Sequence, residues 1–185
     1  MEKVVRRFIE PAPGFAGELG IWVASLDDVR RRTLEAVAGL SSDELAWKPP
    51  GGGNSIGQLL RHIALVELDW VLTDLSRGEA LPKTAPPILL LDGPMADPGP
   101  QPLEIFQAAL DYARKETKTR LGRYGRDEIE TSRENAGQGG RRVFNVRWIL
   151  LHLLNHEAQH TGQIQAVKRM WKNKDSPGEP RDSRF

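Results

Sequence analysis

The stretch HLLNHEAQHTGQI, His152–Ile164, holds three of the four histidines in the chain, at His152, His156 and His160. A four-residue spacing stacks side chains one above another along a helix. The flanking residues follow the same period, with Val146, Ile149, Leu153, Ile164 and Val167 recurring as an apolar stripe. Asn145 carries a side-chain oxygen suited to an N-cap, so the segment reads as one helix from Asn145 to about Trp171. On a wheel turning about 100° per residue with His160 at the origin, Ile149 and Val167 fall near −20°, Leu153 near +20° and Ile164 near +40°. His156 falls at roughly −40°. Both His156 and His160 therefore point into the stripe, while His152, at roughly −80°, sits at its edge.

The fourth histidine, His62, lies in SIGQLLRHIALVELDWV, Ser55–Val71. Ser55 and Gln58 have the spacing of a capping box, and apolar residues continue helically to about Leu75. His62 shares a face with Leu59, Val66, Trp70 and Thr73, so it too points inward. Leu65, Leu68, Leu72 and Leu75 form a second apolar row, which predicts burial on two sides, by the bundle and by a partner subunit.

Two further helices are predicted. One, Ala16 to Ala38, carries Leu19, Trp22, Val23, Leu26, Val29, Leu34 and Val37 and stops at Gly39. The other, Leu103 to Leu121, shows Leu103, Phe106, Leu110, Ala113 and Leu121 on one face; its RKETKTR run, Arg114–Arg120, reads as solvated. Ser41 and Glu44 have capping-box spacing for one short turn. Between Arg77 and Pro102 stand seven of the thirteen prolines, marking a long connection in which PILLL, Pro87–Leu91, reads as a packed extended strip. Tyr124–Phe144 reads as a flexible turn or hairpin, and 173–185 as a polar, flexible tail. Alternating β-branched runs are scarce. The expectation is an all-α fold, a single four-helix bundle over 1–172 with a long crossover loop between its second and third helices.

The net charge of +1 argues against a general nucleic-acid binder, and the basic runs Arg30–Arg32, Arg141–Arg142 and Lys168–Lys174 read as solvated faces. No apolar stretch has the length of a signal peptide or a membrane span, so a cytoplasmic protein without membrane partners is expected. The absence of cysteine excludes disulfides, thiolate metal sites and a cysteine nucleophile. Any thiol chemistry would need a small-molecule thiol.

An inward imidazole loses hydration and needs a partner. One divalent metal ion would satisfy all three inward histidines: His156 and His160 span one helical turn, and His62 completes a three-histidine face with open positions, the catalytic type of coordination. His156-Glu157-Ala158-Gln159-His160 also matches H-E-x-x-H, in which Glu157 would be the general base of a peptidase. That reading lacks a third ligand: no histidine follows His160, and the downstream glutamate, Glu179, lies in a Pro/Gly-rich tail. No strand precedes the helix to receive an extended peptide.

GLSSDELAWKPPGGGNSIGQLLRHIALVELDW, Gly39–Trp70, together with LLHLLNHEAQHTGQIQAVKRM, Leu150–Met170, resembles the DinB/YfiT-like superfamily of metal-binding four-helix bundles. The resemblance implies that His62, His156 and His160 hold one divalent ion, zinc or nickel, with water on the open side, and that the protein is a homodimer. It further implies a metal-dependent transferase that uses a low-molecular-weight thiol (bacillithiol, mycothiol or glutathione) on a small electrophile. A hydrolase of the same family and a non-catalytic ligand-binding bundle are the alternatives. Gln163, which borders the stripe, is a candidate for handling the proton or positioning substrate; Glu157, at roughly +60° on the wheel, is the other candidate or else sits at a helix–helix edge. Asp69 shares the His62 face as a candidate to orient a ligand, and Glu67 does not share it and reads as structural. Trp70 reads as packing, and Gly162 as a place where another element comes close. Ala80–Pro102 is placed to close over the site.

Overall fold

The computed structural model describes residues 8–76, 78–124, 129–137 and 140–175. It is predominantly helical: α1 Gly17–Val37, the short α2 Ser42–Ala46, α3 Ile56–Asp69, α4 Leu103–Leu121 and α5 Val146–Lys172. Helix α1 packs on α5, α5 on α3, α3 on α4, and α4 back on α1, which closes a bundle of four. Among the described residues no helix is long and apolar enough to cross a membrane.

The helix starts follow local chemistry. Both capping boxes form: Ser41 and Glu44 at α2, Ser55 and Gln58 at α3, each satisfying two orphan N–H groups. The Asn145 side chain accepts the Trp148 N–H at the start of α5. Gly39, just past α1, takes φ +74°, which stops the helix without the penalty a Cβ would bring. Gly57 on α3 is also needed, because a Cβ there would sit 2.8 Å from the Phe106 ring of α4.

Two segments differ from the periodicity, and the hairpin, one of the two forms expected for 124–144, is present. The second predicted helix runs α-helically only to Asp69 and continues as a π-helical turn, Trp70–Leu75. PILLL is not extended: Pro87–Leu90 forms a 3₁₀ turn that buries Ile88 and Leu89, because Pro87 in the first turn presets a helical φ. Before α5, β1 Ser132–Gly137 pairs antiparallel with β2 Gly140–Asn145, Arg133 opposite Phe144. This hairpin brings Phe144 onto Trp70, ring centroids 5.4 Å apart.

Two apolar clusters fill the interior. One gathers Leu45, Leu60, Phe106, Leu110 and Ile164; the other gathers Val23, Leu26, Leu121, Ile149 and Leu150. Between their residues, along the sequence of each of the helices α1, α4 and α5, falls a buried charge: Arg30, Arg114 and Glu157. Glu67 of α3 joins them. Arg30 donates from Nε to Glu157 Oε1 at 2.7 Å, from Nη2 to Glu67 Oε2 at 2.6 Å, and from Nη1 to the Leu110 carbonyl at 2.6 Å. Arg114 donates from Nε to Glu67 Oε1 at 2.8 Å, from Nη2 to Glu157 Oε2 at 3.2 Å, and from Nη1 to Asp27 at 3.1 Å. Thr117 adds a hydroxyl to Glu67 at 2.8 Å.

This cluster corrects two readings of surface charge. Arg31 and Arg32 pair on the outside with Asp28 and Glu35, but Arg30 is buried. In RKETKTR, Arg114, Thr117 and Arg120 are buried as well. A guanidinium can be desolvated when carboxylates saturate its fork, and Glu67 and Glu157 do this for Arg30 and Arg114.

Of the second leucine row, Leu68, Leu72 and Leu75 are buried within this chain, and Leu65 is half-buried. Leu68 and Leu72 pack with Ile88 and Leu89 of the crossover, and Leu75 packs with Val71 and Leu121. Arg61, fully buried, ties the crossover down by donating to the carbonyls of Ile88, Leu91, Gly93 and Pro94. Gln58 donates to the Met95 carbonyl at 2.9 Å. The predicted polar tail falls largely on 176–185, outside the described residues.

Removing one member of the charge cluster leaves its partners buried and uncompensated, so Glu67→Ala should lower stability by about 3–5 kcal/mol in urea unfolding. Burial by itself pushes the Glu67 carboxyl up, but Arg114, Arg30 and the hydrogen bonds from Arg114 and Thr117 outweigh it and hold it at about 2, against 4.5 in a free chain. A depressed folded-state value stabilises above the free-chain value and is lost as pH falls toward the folded one. Urea midpoints of the wild type should therefore drop between pH 4.5 and 2, and this acid slope should be shallower in Glu67→Ala.

Candidate metal centre

Helices α3 and α5 carry the three inward histidines to one point. His156 Nε2 lies 3.2 Å from His62 Nε2 and 3.1 Å from His160 Nε2. One ring nitrogen from each of the three falls within 4.8 Å of the others. The rings meet at angles, His62 and His160 edge to face at 89° and His156 and His160 at 75°, so they converge rather than stack.

The outer nitrogens of two rings are held. His62 Nδ1–H donates to the Pro94 carbonyl at 3.3 Å, and His160 Nδ1–H to Gln163 Oε1 at 2.7 Å. A proton on Nδ1 leaves Nε2 as a lone pair, so His62 and His160 both turn acceptors toward His156. Burial, with the repulsion of His160, lowers the His62 pKa. Burial, with His160, His62 and His152 around it, holds His156 down at about 3, so this ring is neutral at pH 7. Three half-buried imidazoles with converging ring nitrogens, two fixed by hydrogen bonds behind them, form a donor set that fits a divalent metal ion.

His152 lies outside this set. Its ring stacks on Trp148 at 5.3 Å and 7°, and lies 4.9 Å from Trp70. Trp70 packs as the sequence suggested, against Phe144, Trp148 and His152. Glu157 belongs to a different surface of α5: its carboxylate, 2% exposed, is taken up by Arg30 and Arg114. Glu67 sits beside it in the same cluster. Asp69 is exposed and accepts from Thr73 Oγ1 at 3.2 Å. Gly162 is exposed, and among the described residues a Cβ there would meet nothing within 4 Å, so no described element approaches it.

Two contributors escape a reading of side chains by period. Arg61 fixes the crossover and thereby sets Pro94 against His62. Its partners are backbone carbonyls, which carry no letter in the sequence. Trp148 is 46% exposed, yet it forms one side of a cleft of about 300 Å³ with Leu151, His152, Asn155, His156 and Gln159.

The family model of the DinB superfamily matches residues 25–164, and the chain belongs to that superfamily. The crystal structure of a conserved protein from Enterococcus faecalis superposes with a TM-score of 0.63 at 15% identity, covering 84% of this chain and 98% of its own. At that identity the likeness shows the fold alone. No functionally curated protein matches the chain.

In chelator-treated protein, long-range ¹H–¹⁵N NMR should find the Nδ1–H tautomer on both His62 and His160 at pH 7. An Nε2–H tautomer on either would mean that Pro94 and Gln163 do not orient these rings.

Proposed function

We propose that this protein binds one divalent metal ion, zinc or nickel, through His62, His156 and His160, and serves as a metal-dependent transferase that joins a low-molecular-weight thiol to a small electrophile. The observation that carries the reading is the convergence of three imidazole nitrogens, two with their outer nitrogens fixed by Pro94 and Gln163. A divalent ion bound there would supply Lewis-acid chemistry, lowering the pKa of a thiol or water in an open position. The chain has no cysteine, so the thiol would come from solution.

The protein's own residues then bind and orient. Gln163 acts as a positioning residue through His160, and Pro94 does the same through His62. Asn155 and Gln159 present amides in the cleft beside His156, suited to the peptide-like or sugar-like portions of such thiols. Glu157 is committed to Arg30 and Arg114, which favours a structural role for it over general-base chemistry and counts against the peptidase reading of H-E-x-x-H. Within the same family a hydrolase is the second reading, with water in place of the thiol.

Elemental mass spectrometry after identical dialysis is the test. Wild type should carry about one equivalent of metal, and His156→Ala and His160→Ala little. Metal-loaded protein should then conjugate bacillithiol, mycothiol or glutathione to an electrophile such as monochlorobimane, in proportion to metal content. Turnover of ester substrates without thiol would select the hydrolase. Metal without turnover would leave a binding module, and failure of wild type to take up supplied zinc or nickel would end the metal reading.

A further inference from the structure

Against α3 the crossover walls a half-open cavity of about 500 Å³, a size in the range of small-molecule sites. Leu65, Leu68 and Leu72 form its helix wall, and Leu81, Leu89 and Leu91 its crossover wall. The charged residues that line it are acidic, Asp69 and Glu79, with Thr73 between the turns, and among the described residues no lysine, arginine or histidine lines it. Glu79 is already paired with Arg120, whereas the exposed Asp69 accepts from Thr73. A carboxylate, phosphate or sulfonate in this cavity would lose hydration and meet like charge.

The cavity also adjoins the histidines. Pro94 lines it, and the Pro94 carbonyl receives the His62 Nδ1–H. Val66 lines it one helical turn beyond His62, and Asp69 follows on nearly the same face. Asp69 stands seven positions beyond His62, about 10 Å along the helix axis.

On these grounds we infer that the crossover cavity takes the apolar body of the electrophilic substrate, an uncharged or cationic and largely hydrocarbon small molecule whose amine or hydroxyl group donates to Asp69 and whose other end lies toward Pro94, the residue behind His62. The inference rests on the transferase reading for the word substrate, and on the cavity alone for the chemistry of the ligand. The carboxylate-bearing thiols bind elsewhere, because the same acidic lining excludes them. Arg61 belongs to this site as a positioning residue: by holding the carbonyls of Ile88, Leu91, Gly93 and Pro94 it keeps the far wall in place.

Two dyes with one body separate the charge term from simple stickiness. N-phenyl-1-naphthylamine is neutral, and 1-anilinonaphthalene-8-sulfonate is the same molecule with a sulfonate. Titrated into the full-length protein, the neutral dye should show saturable fluorescence enhancement at one site, and the sulfonate should bind roughly tenfold more weakly or worse. Leu65→Trp on the helix wall and Leu81→Trp on the crossover wall should each weaken the neutral dye by about tenfold while far-UV circular dichroism stays unchanged. If one variant misfolds, the other decides. No saturable binding, equal affinity for both dyes, or undiminished binding in a folded wall variant would overturn the inference. His160→Ala, which should lose metal, should keep the neutral dye, so failure of the cavity and failure of the metal centre are read independently.

Discussion

The ion cluster formed by Arg30, Glu67, Arg114 and Glu157 is the constraint on which the arrangement of the long helices depends. Each of α1, α3, α4 and α5 contributes one member, and the two guanidiniums balance the two carboxylates. An apolar interface tolerates small rotations of a helix about its axis, but a buried charge pair does not, because any rotation strips a carboxylate of its partner. Glu157 thus fixes the angular phase of α5, and Glu67 that of α3. His156 precedes Glu157 and His62 precedes Glu67 by five residues, so the phases that close the ion cluster also turn the histidines toward one another. The cluster is structural, and the convergence of the histidines follows from it.

A second constraint acts from the crossover side. Arg61 stands next to His62 and points into the loop rather than the bundle, where it gathers four carbonyls. One of them, that of Pro94, also holds His62. The loop that walls the apolar cavity is therefore the loop that orients a candidate ligand. Ala80–Pro102 is secured over α3 by side-chain to backbone bonds, and Leu68, Leu72 and Leu75 of the leucine row are buried within this chain.

The helices and the histidine triad were legible in the sequence because both are written in period and spacing. Ser55 with Gln58, Ser41 with Glu44, and Asn145 announce helix starts through local hydrogen bonds. His62, His156 and His160 announce themselves as rare polar residues on apolar faces. The charge cluster was illegible for the opposite reason. Arg30 stands in a run of three arginines and Arg114 opens RKETKTR, and a buried charge has the same letter as a solvated one. Glu157, inside a catalytic-looking pentapeptide, drew a catalytic reading although its place on the wheel already lay within the buried arc of α5. The 3₁₀ turn at Pro87–Leu90 and the π-helical turn after Asp69 depend on packing and backbone partners that spacing does not encode.

X-ray absorption at the metal edge of the purified protein tests the central claim most directly, because it counts the imidazoles around the ion. Three histidine nitrogens at about 2.0–2.1 Å, plus a light-atom ligand from solvent, is the result this account predicts for zinc. The same spectrum from His62→Ala should lose one imidazole shell. A metal bound without histidine, or an imidazole count that is unchanged in His62→Ala, would contradict it.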